Sequence, residues 1–79
     1  MTKQEFLVKF SAQFEETDPA TITIETKFRE IEEWSSMMAL VIIAMVDEEM
    51  NLRLTGDDIR NSVTVNDLYQ VVSSKNSVQ

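Results

Sequence analysis

"EEWSSMMALVIIAMVDEEM", residues 32–50, holds the feature on which the fold turns: two serines, ten residues with neither charge nor hydrogen-bonding side chain, and then acid again. Ten apolar residues fall well short of the roughly 20 needed to cross a bilayer, so a membrane span is rejected. A helix is the remaining reading. Stepping 100° per residue puts Ala39, Leu40, Ile43, Val46 and Met50 on one side, with Ile42 at its margin, and this side is expected to face the core. The other side receives Met37, Met38, Val41 and Met45 before Glu48 and Glu49 restore polarity. A chain this short has difficulty burying every side of one helix, so the methionine-rich side reads as a contact surface; the competing reading is a loop folded over it as core.

Outward from that helix, the flanks supply their own signals. Thr2 with Glu5 forms a capping-box pattern, and Phe6, Leu7, Phe10 and Phe14 share one side of a 3.6-residue spiral, predicting a first helix that ends before Asp18-Pro19. "TITIE", residues 21–25, alternates like a strand but has no convincing partner strand. Residues 16–34 are therefore expected to be a long ordered loop pinned by Ile22, Ile24, Phe28 and Ile31. Thr55 with Asp58 and Thr64 with Asp67 repeat the capping signature, the first before a short helix carrying Ile59. After the second, Val65, Leu68, Tyr69 and Val72 follow the i, i+3, i+4, i+7 rule of an amphipathic helix, and the polar end at 73–79 is expected to fray. The expectation is an all-α four-helix bundle forming one domain, with a short third helix and a long loop between helices 1 and 2.

Composition narrows the function. Seven basic against fourteen acidic residues leave a formal charge of −7, which disfavours nucleic acid and anionic lipid and favours basic protein partners. There is no cysteine and no histidine, hence no thiolate nucleophile, no sulfur metal site and no side chain suited to proton transfer near neutral pH. A hydrolase built on carboxylates and Ser36 has little to recommend it, since no G-x-S-x-G elbow is present. Asp57-Asp58 and Asp47-Glu48-Glu49 lack the alternating ligands of a calcium loop and read as solvated faces, so no metal site is expected. "MTKQEFLVKF" is charged and amphipathic rather than a signal peptide, which predicts a cytoplasmic address.

The order of features, with "IETKFREI" leading into "EWSSM" and then "IAMVDEEMNLRLTGDDIRNSVTVNDL", resembles an acyl carrier protein over about residues 3–72. Members commonly read Asp-Ser-Leu at the start of the second helix; here Ser35-Ser36-Met37 stands in that register. The resemblance implies that Ser36 carries 4′-phosphopantetheine, attached from coenzyme A by a phosphopantetheinyl transferase that holds Mg²⁺ in its own site. It implies a non-catalytic, monomeric carrier. Acyl intermediates would ride on it as thioesters, handed between loading enzymes, synthases and acyltransferases of fatty acid, polyketide or related biosynthesis. A surface of Ser35, Met37, Met38, Val41, Met45, Glu48 and Glu49 would meet those partners. Cargo would lie near Leu40, Ile43, Ile59 and Val63.

Chemistry gives an independent reason for a serine there. A phosphodiester at a helix start sits beside unpaired backbone N–H groups and the positive end of the helix dipole. By itself "SS" before a helix is more often a cap, and one serine suffices for that, so Ser35 is expected to cap while Ser36 stays free. Because Met38 and Val41 occupy positions that carry acid in the family, recognition is expected to be more hydrophobic and less salt-sensitive. The alternative is an unmodified helical interaction module that works through the methionine-rich face alone.

Overall fold

The computed structural model describes residues 1–77, with side chains through Asn76. Four α-helices carry the chain: α1 (Lys3–Ser11), α2 (Ser36–Met50), α3 (Gly56–Arg60) and α4 (Val65–Ser77). No strand occurs among the described residues, so the fold class is all-α.

Each helix start is set by the residues the sequence nominated. The Thr2 hydroxyl accepts the Glu5 amide while the Glu5 carboxylate takes the Thr2 amide, and Thr55 with Asp58 repeats the exchange at α3. Asp67 accepts from the Val63 and Thr64 amides at the start of α4, and Thr64 returns the favour to the Asp67 amide. At the other end of α2, Asn51 adopts the left-handed conformation (φ 55°) and donates its amide to the Asp47 carbonyl. Asparagine is one of the few non-glycine residues that tolerates this cap.

Helix α1 is shorter than its apolar spacing predicts. It stops at Ser11, and Phe14 reaches the core from a tight turn in which its amide bonds the Ser11 carbonyl. The Gln13 and Phe14 amides turn to i−3 carbonyls, and Glu33 holds the chain beyond them. Its carboxylate accepts from the amides of Glu15, Glu16 and Thr17 and from the Thr17 hydroxyl, so those donors have no need of a helical ladder. A long ordered loop occurs as expected but runs from 12 to 35 rather than over 16–34, starting earlier because α1 is short, and it contains single 3₁₀ turns at Pro19–Thr21 and Phe28–Glu30.

The strand-like "TITIE" forms no strand, and the pairing falls mainly on the residues just after it. Asn66 and Val65 donate to the Ile24 and Thr26 carbonyls, Phe28 donates to Val63, and Lys27 and Thr64 form one antiparallel bridge. The loop is thereby stitched to the entry of α4. The core is an aromatic column of Phe6, Phe10, Phe14 and Phe28 closed by Ile42, Val46, Leu54, Val65 and Leu68. Trp34 covers one end, with its ring centroid 4.8 Å from Phe28 and 6.4 Å from Phe14. Helix α4 stays helical through Ser77, farther than the polar run at 73–79 suggests; residues 78 and 79, part of the expected frayed end, lie outside the described residues.

Helix α2 is turned relative to the sequence expectation. Its buried residues are Met38, Ile42, Met45 and Val46, while Leu40 is 61% exposed. Val46 and Ile42 are buried as expected, and Ala39, Ile43 and Met50 pack partly buried against the core, but the centre of the buried side is shifted toward Met38 and Met45 and away from Leu40. An all-apolar helix gives little amphipathic contrast from which to fix its rotation, and here the neighbours decide it. Met38, Ile42, Met45 and Val46 pack into the aromatic core, and the exposed Lys9–Glu49 ion pair at 2.9 Å accompanies that packing rather than setting it.

Candidate functional site

The start of α2 is built from a division of labour between two hydroxyls. Ser35 is the N-cap, in extended backbone (φ −158°, ψ 174°), and its Oγ accepts the Met38 amide at 3.2 Å. Ser36 is the first helical residue. It is exposed, and among the described residues its Oγ has no hydrogen-bond partner. The amides of Ser36 and Met37 also lack acceptors there, as the first turn of a helix requires, so two N–H dipoles and a free hydroxyl share the positive end of a fifteen-residue helix.

The loop braces this turn from behind. Trp34 is wedged between Phe14 and Phe28 and donates its amide to the Ile31 carbonyl. Glu33, three residues before Ser36, is held below the ordinary glutamate range by the Thr17 hydroxyl and by the amides of Glu15, Glu16 and Thr17. Its charge is spent inside the loop rather than offered to a ligand. Arg29 donates Nη1 to the Ser62 carbonyl and Nη2 to the Ile59 carbonyl, at 2.6 and 2.5 Å, tying the loop to the end of α3. Neither role was legible in the sequence, where both residues look like ordinary surface charge.

The surface residues expected to meet a partner divide three ways. Met37 is 67% exposed and stands beside Ser36, and Glu48 is exposed farther down the same side. Val41 is half-buried, and Glu49 is engaged with Lys9. Met38 and Met45 are corrected: at 9% and 4% exposure they are core, because both lie on the line with Ile42 that packs against the aromatic column. The outward side belongs instead to Met37, Leu40 and Ala44, leading to Asp47 and Glu48. A signal for this was available. Asp47, Glu48 and Asn51 mark the solvent side at the polar end of the helix, and stepping back three or four residues at a time gives Ala44, Leu40 and Met37.

The expected cargo site is also redrawn. Ile59 is buried and Val63 is 50% exposed, and neither lines the concavity beside Leu40 and Ile43. The concavity beside those two, about 320 Å³, is lined further by Ala44, Asp47, Arg53, Leu54 and Thr55. It opens on the surface rather than into the core. A larger hollow of about 880 Å³ lies along the long loop and is walled by Glu16, Lys27, Glu30 and Glu32 with Ile22 and Ile31.

Among the described residues, no three His, Cys, Asp or Glu side chains are grouped to hold a metal ion, and no helix is long and apolar enough to cross a membrane. Compared with protein-family models, curated proteins and solved structures, the chain matches none.

Proposed function

We propose that the chain is a non-catalytic carrier, of the acyl carrier protein kind that its sequence resembles, whose Ser36 hydroxyl bears 4′-phosphopantetheine. The observation that supports this reading most is the pairing of a spent hydroxyl with a free one. Ser35 satisfies the cap, so nothing in the local structure requires Ser36, and a serine there is left for chemistry. The residues fit the group on three counts: the hydroxyl is accessible, the unpaired Ser36 and Met37 amides suit an anion, and no carboxylate of the first turn opposes it. A phosphodiester at that place gains on the order of 0.3–1 kcal/mol from the helix terminus.

When attached, the arm supplies the thiol that a chain without cysteine lacks, and an acyl group is held on it as a thioester. The Ser36 Oγ forms a bond to the pantetheine-bearing phosphorus of coenzyme A and loses its proton to the transferase, while the pyrophosphate P–O bond breaks and adenosine 3′,5′-bisphosphate leaves. Ser35 holds the helix start so that Ser36 points to solvent. Met37, Leu40 and Ala44 give partner enzymes an apolar strip next to the tether, and Asp47 and Glu48 add a charged end to it. The bundle arrangement, a long first loop, an apolar second helix opened by serine and a short third helix, fits the carrier architecture. The partners of this reading are a phosphopantetheinyl transferase and cytoplasmic acyl-handling enzymes. The unmodified-module reading loses ground, because Met38 and Met45 are withdrawn from the face it would use.

The test is direct. Incubation with coenzyme A, Mg²⁺ and a broad-specificity phosphopantetheinyl transferase should raise the intact mass by one phosphopantetheinyl group. The Ser36→Ala chain should not change. An unchanged wild-type mass with several transferases of different specificity overturns the proposal.

A further inference from the structure

We propose that Arg29 is a positioning residue that couples α3 to the turn bearing Ser35 and Ser36, so that α3 and the start of α2 open and close as one unit. Helix α3 has five residues, too few to hold on propensity alone. Its first turn is closed by Thr55 and Asp58, and Lys75 of α4 reaches Asp58 at 3.1 Å. Its far end depends on Arg29, whose two Nη groups bond the Ile59 and Ser62 carbonyls, the place where a helix end exposes acceptors and favours a cation.

The same arginine leads back to Ser36 through contacts that leave little slack. Its guanidinium lies 4.9 Å from the centroid of the adjacent Phe28 ring, and Phe28 is fully buried with its amide on the Val63 carbonyl. Phe28 in turn meets Trp34, the only tryptophan, whose neighbour Ser35 caps α2. The Val65 and Asn66 amides on the Thr26 and Ile24 carbonyls complete the seam between loop and α4 entry. Detaching the end of α3 therefore unseats Arg29 and Phe28, and Phe28 cannot move without releasing Trp34. Dense packing makes such a seam two-state rather than gradual. The inference does not need Ser36 to be modified; if it is, the latch sets how firmly the attachment turn is held.

Native-state amide hydrogen exchange on the full chain tests this, comparing wild type with Arg29→Met, Arg29→Lys and, as a control, Lys9→Met. Arg29→Met should speed exchange about tenfold at the Ile59, Asn61 and Ser62 amides of the α3 end and by a similar factor at Trp34 and Ala39, with the central amides of α1 and α2 unchanged. Trp34 fluorescence should shift in step. Arg29→Lys, which keeps the charge, should fall between the two and decides the matter if Arg29→Met does not fold. Lys9→Met should leave α3 and Trp34 alone. In a double-mutant cycle with Trp34→Phe, the effects of the two changes on α3 exchange should be non-additive. Faster exchange confined to α3, a uniform rise across all helices, or additivity in the cycle overturns the proposal.

Discussion

Met45→Ala and Leu40→Ala remove side chains of similar size from the same helix, and the rotation of α2 separates their costs. Met45 is 4% exposed among Ile42, Val46 and the aromatic column, whereas Leu40 is 61% exposed. Truncating a buried methionine costs about 2–5 kcal/mol, since the lost transfer free energy is joined by a cavity that neighbours only partly fill. For Leu40, with roughly two-fifths of its surface covered, the transfer scale of 1.5–3 kcal/mol for full burial gives about 1 kcal/mol or less. At ~4–8 °C per kcal/mol for a domain of this size, a 3 kcal/mol loss lowers Tm by about 12–24 °C in Met45→Ala, against no more than ~8 °C in Leu40→Ala. A domain of this length has on the order of 4–12 kcal/mol of stability, so a loss of about 3 kcal/mol leaves Met45→Ala folded in the cold. Thermal and urea denaturation followed by circular dichroism at 222 nm, with matching m-values, give the comparison. Equal costs, or a larger cost for Leu40→Ala, would refute the rotation of α2 and restore Leu40 to the core.

Other outcomes follow from the caps, the charges and the apolar strip. Ser35→Ala should cost about 1 kcal/mol, or some 4–8 °C in Tm, while Ser36→Ala should cost less than half of that, because only the first hydroxyl is hydrogen-bonded. Glu33, Glu5 and Asp67 are all held below the ordinary carboxylate range, Glu33 first by the Thr17 hydroxyl, Glu5 by the Thr2 amide and Asp67 by the Thr64 amide. Depressed folded values mean that their stabilisation is present above the unfolded carboxylate range, near pH ~4, and is lost as pH falls through and below it. Urea midpoints should therefore drop on acidification and stay flat from pH 6 to 8, where the chain has no histidine to titrate, and Glu33→Gln should flatten the acid limb. If Ser36 is modified, Leu40→Glu should raise the transferase KM several-fold with little change in Tm, and wild-type KM should vary weakly with salt between low and physiological ionic strength; a steep salt dependence would mean that Asp47 and Glu48, rather than Met37 and Leu40, carry recognition.

Legibility in the sequence followed how local each signal was. Thr2 with Glu5, Thr55 with Asp58 and Thr64 with Asp67 named three helix starts, because a capping exchange needs only a spacing of three. The same locality let Ser35 be assigned as the cap of α2. Rotation of α2 was only faintly legible: ten apolar residues in a row carry no internal contrast, Asp47, Glu48 and Asn51 marked the solvent side at one end alone, and packing of Met38, Ile42, Met45 and Val46 against the aromatic column fixed it. Glu33 and Arg29 were opaque, since their partners are backbone groups at Glu15–Thr17 and at Ile59 and Ser62, and any sequence supplies backbone donors and acceptors. The strand-like alternation of residues 21–25 gave no strand: Thr21 ends a 3₁₀ turn, Ile24 and Glu25 lie in a turn, and the pairing with 63–66 falls mainly on residues 26–28 just beyond it.

The central claim concerns which of two adjacent hydroxyls is the tether, and fragmentation of the tryptic peptide spanning 30–53 decides it after treatment with transferase and coenzyme A. The account predicts the added group on Ser36, with Ser35→Ala still labelled. A group found on Ser35, label persisting in Ser36→Ala, or a peptide that never gains mass would contradict it.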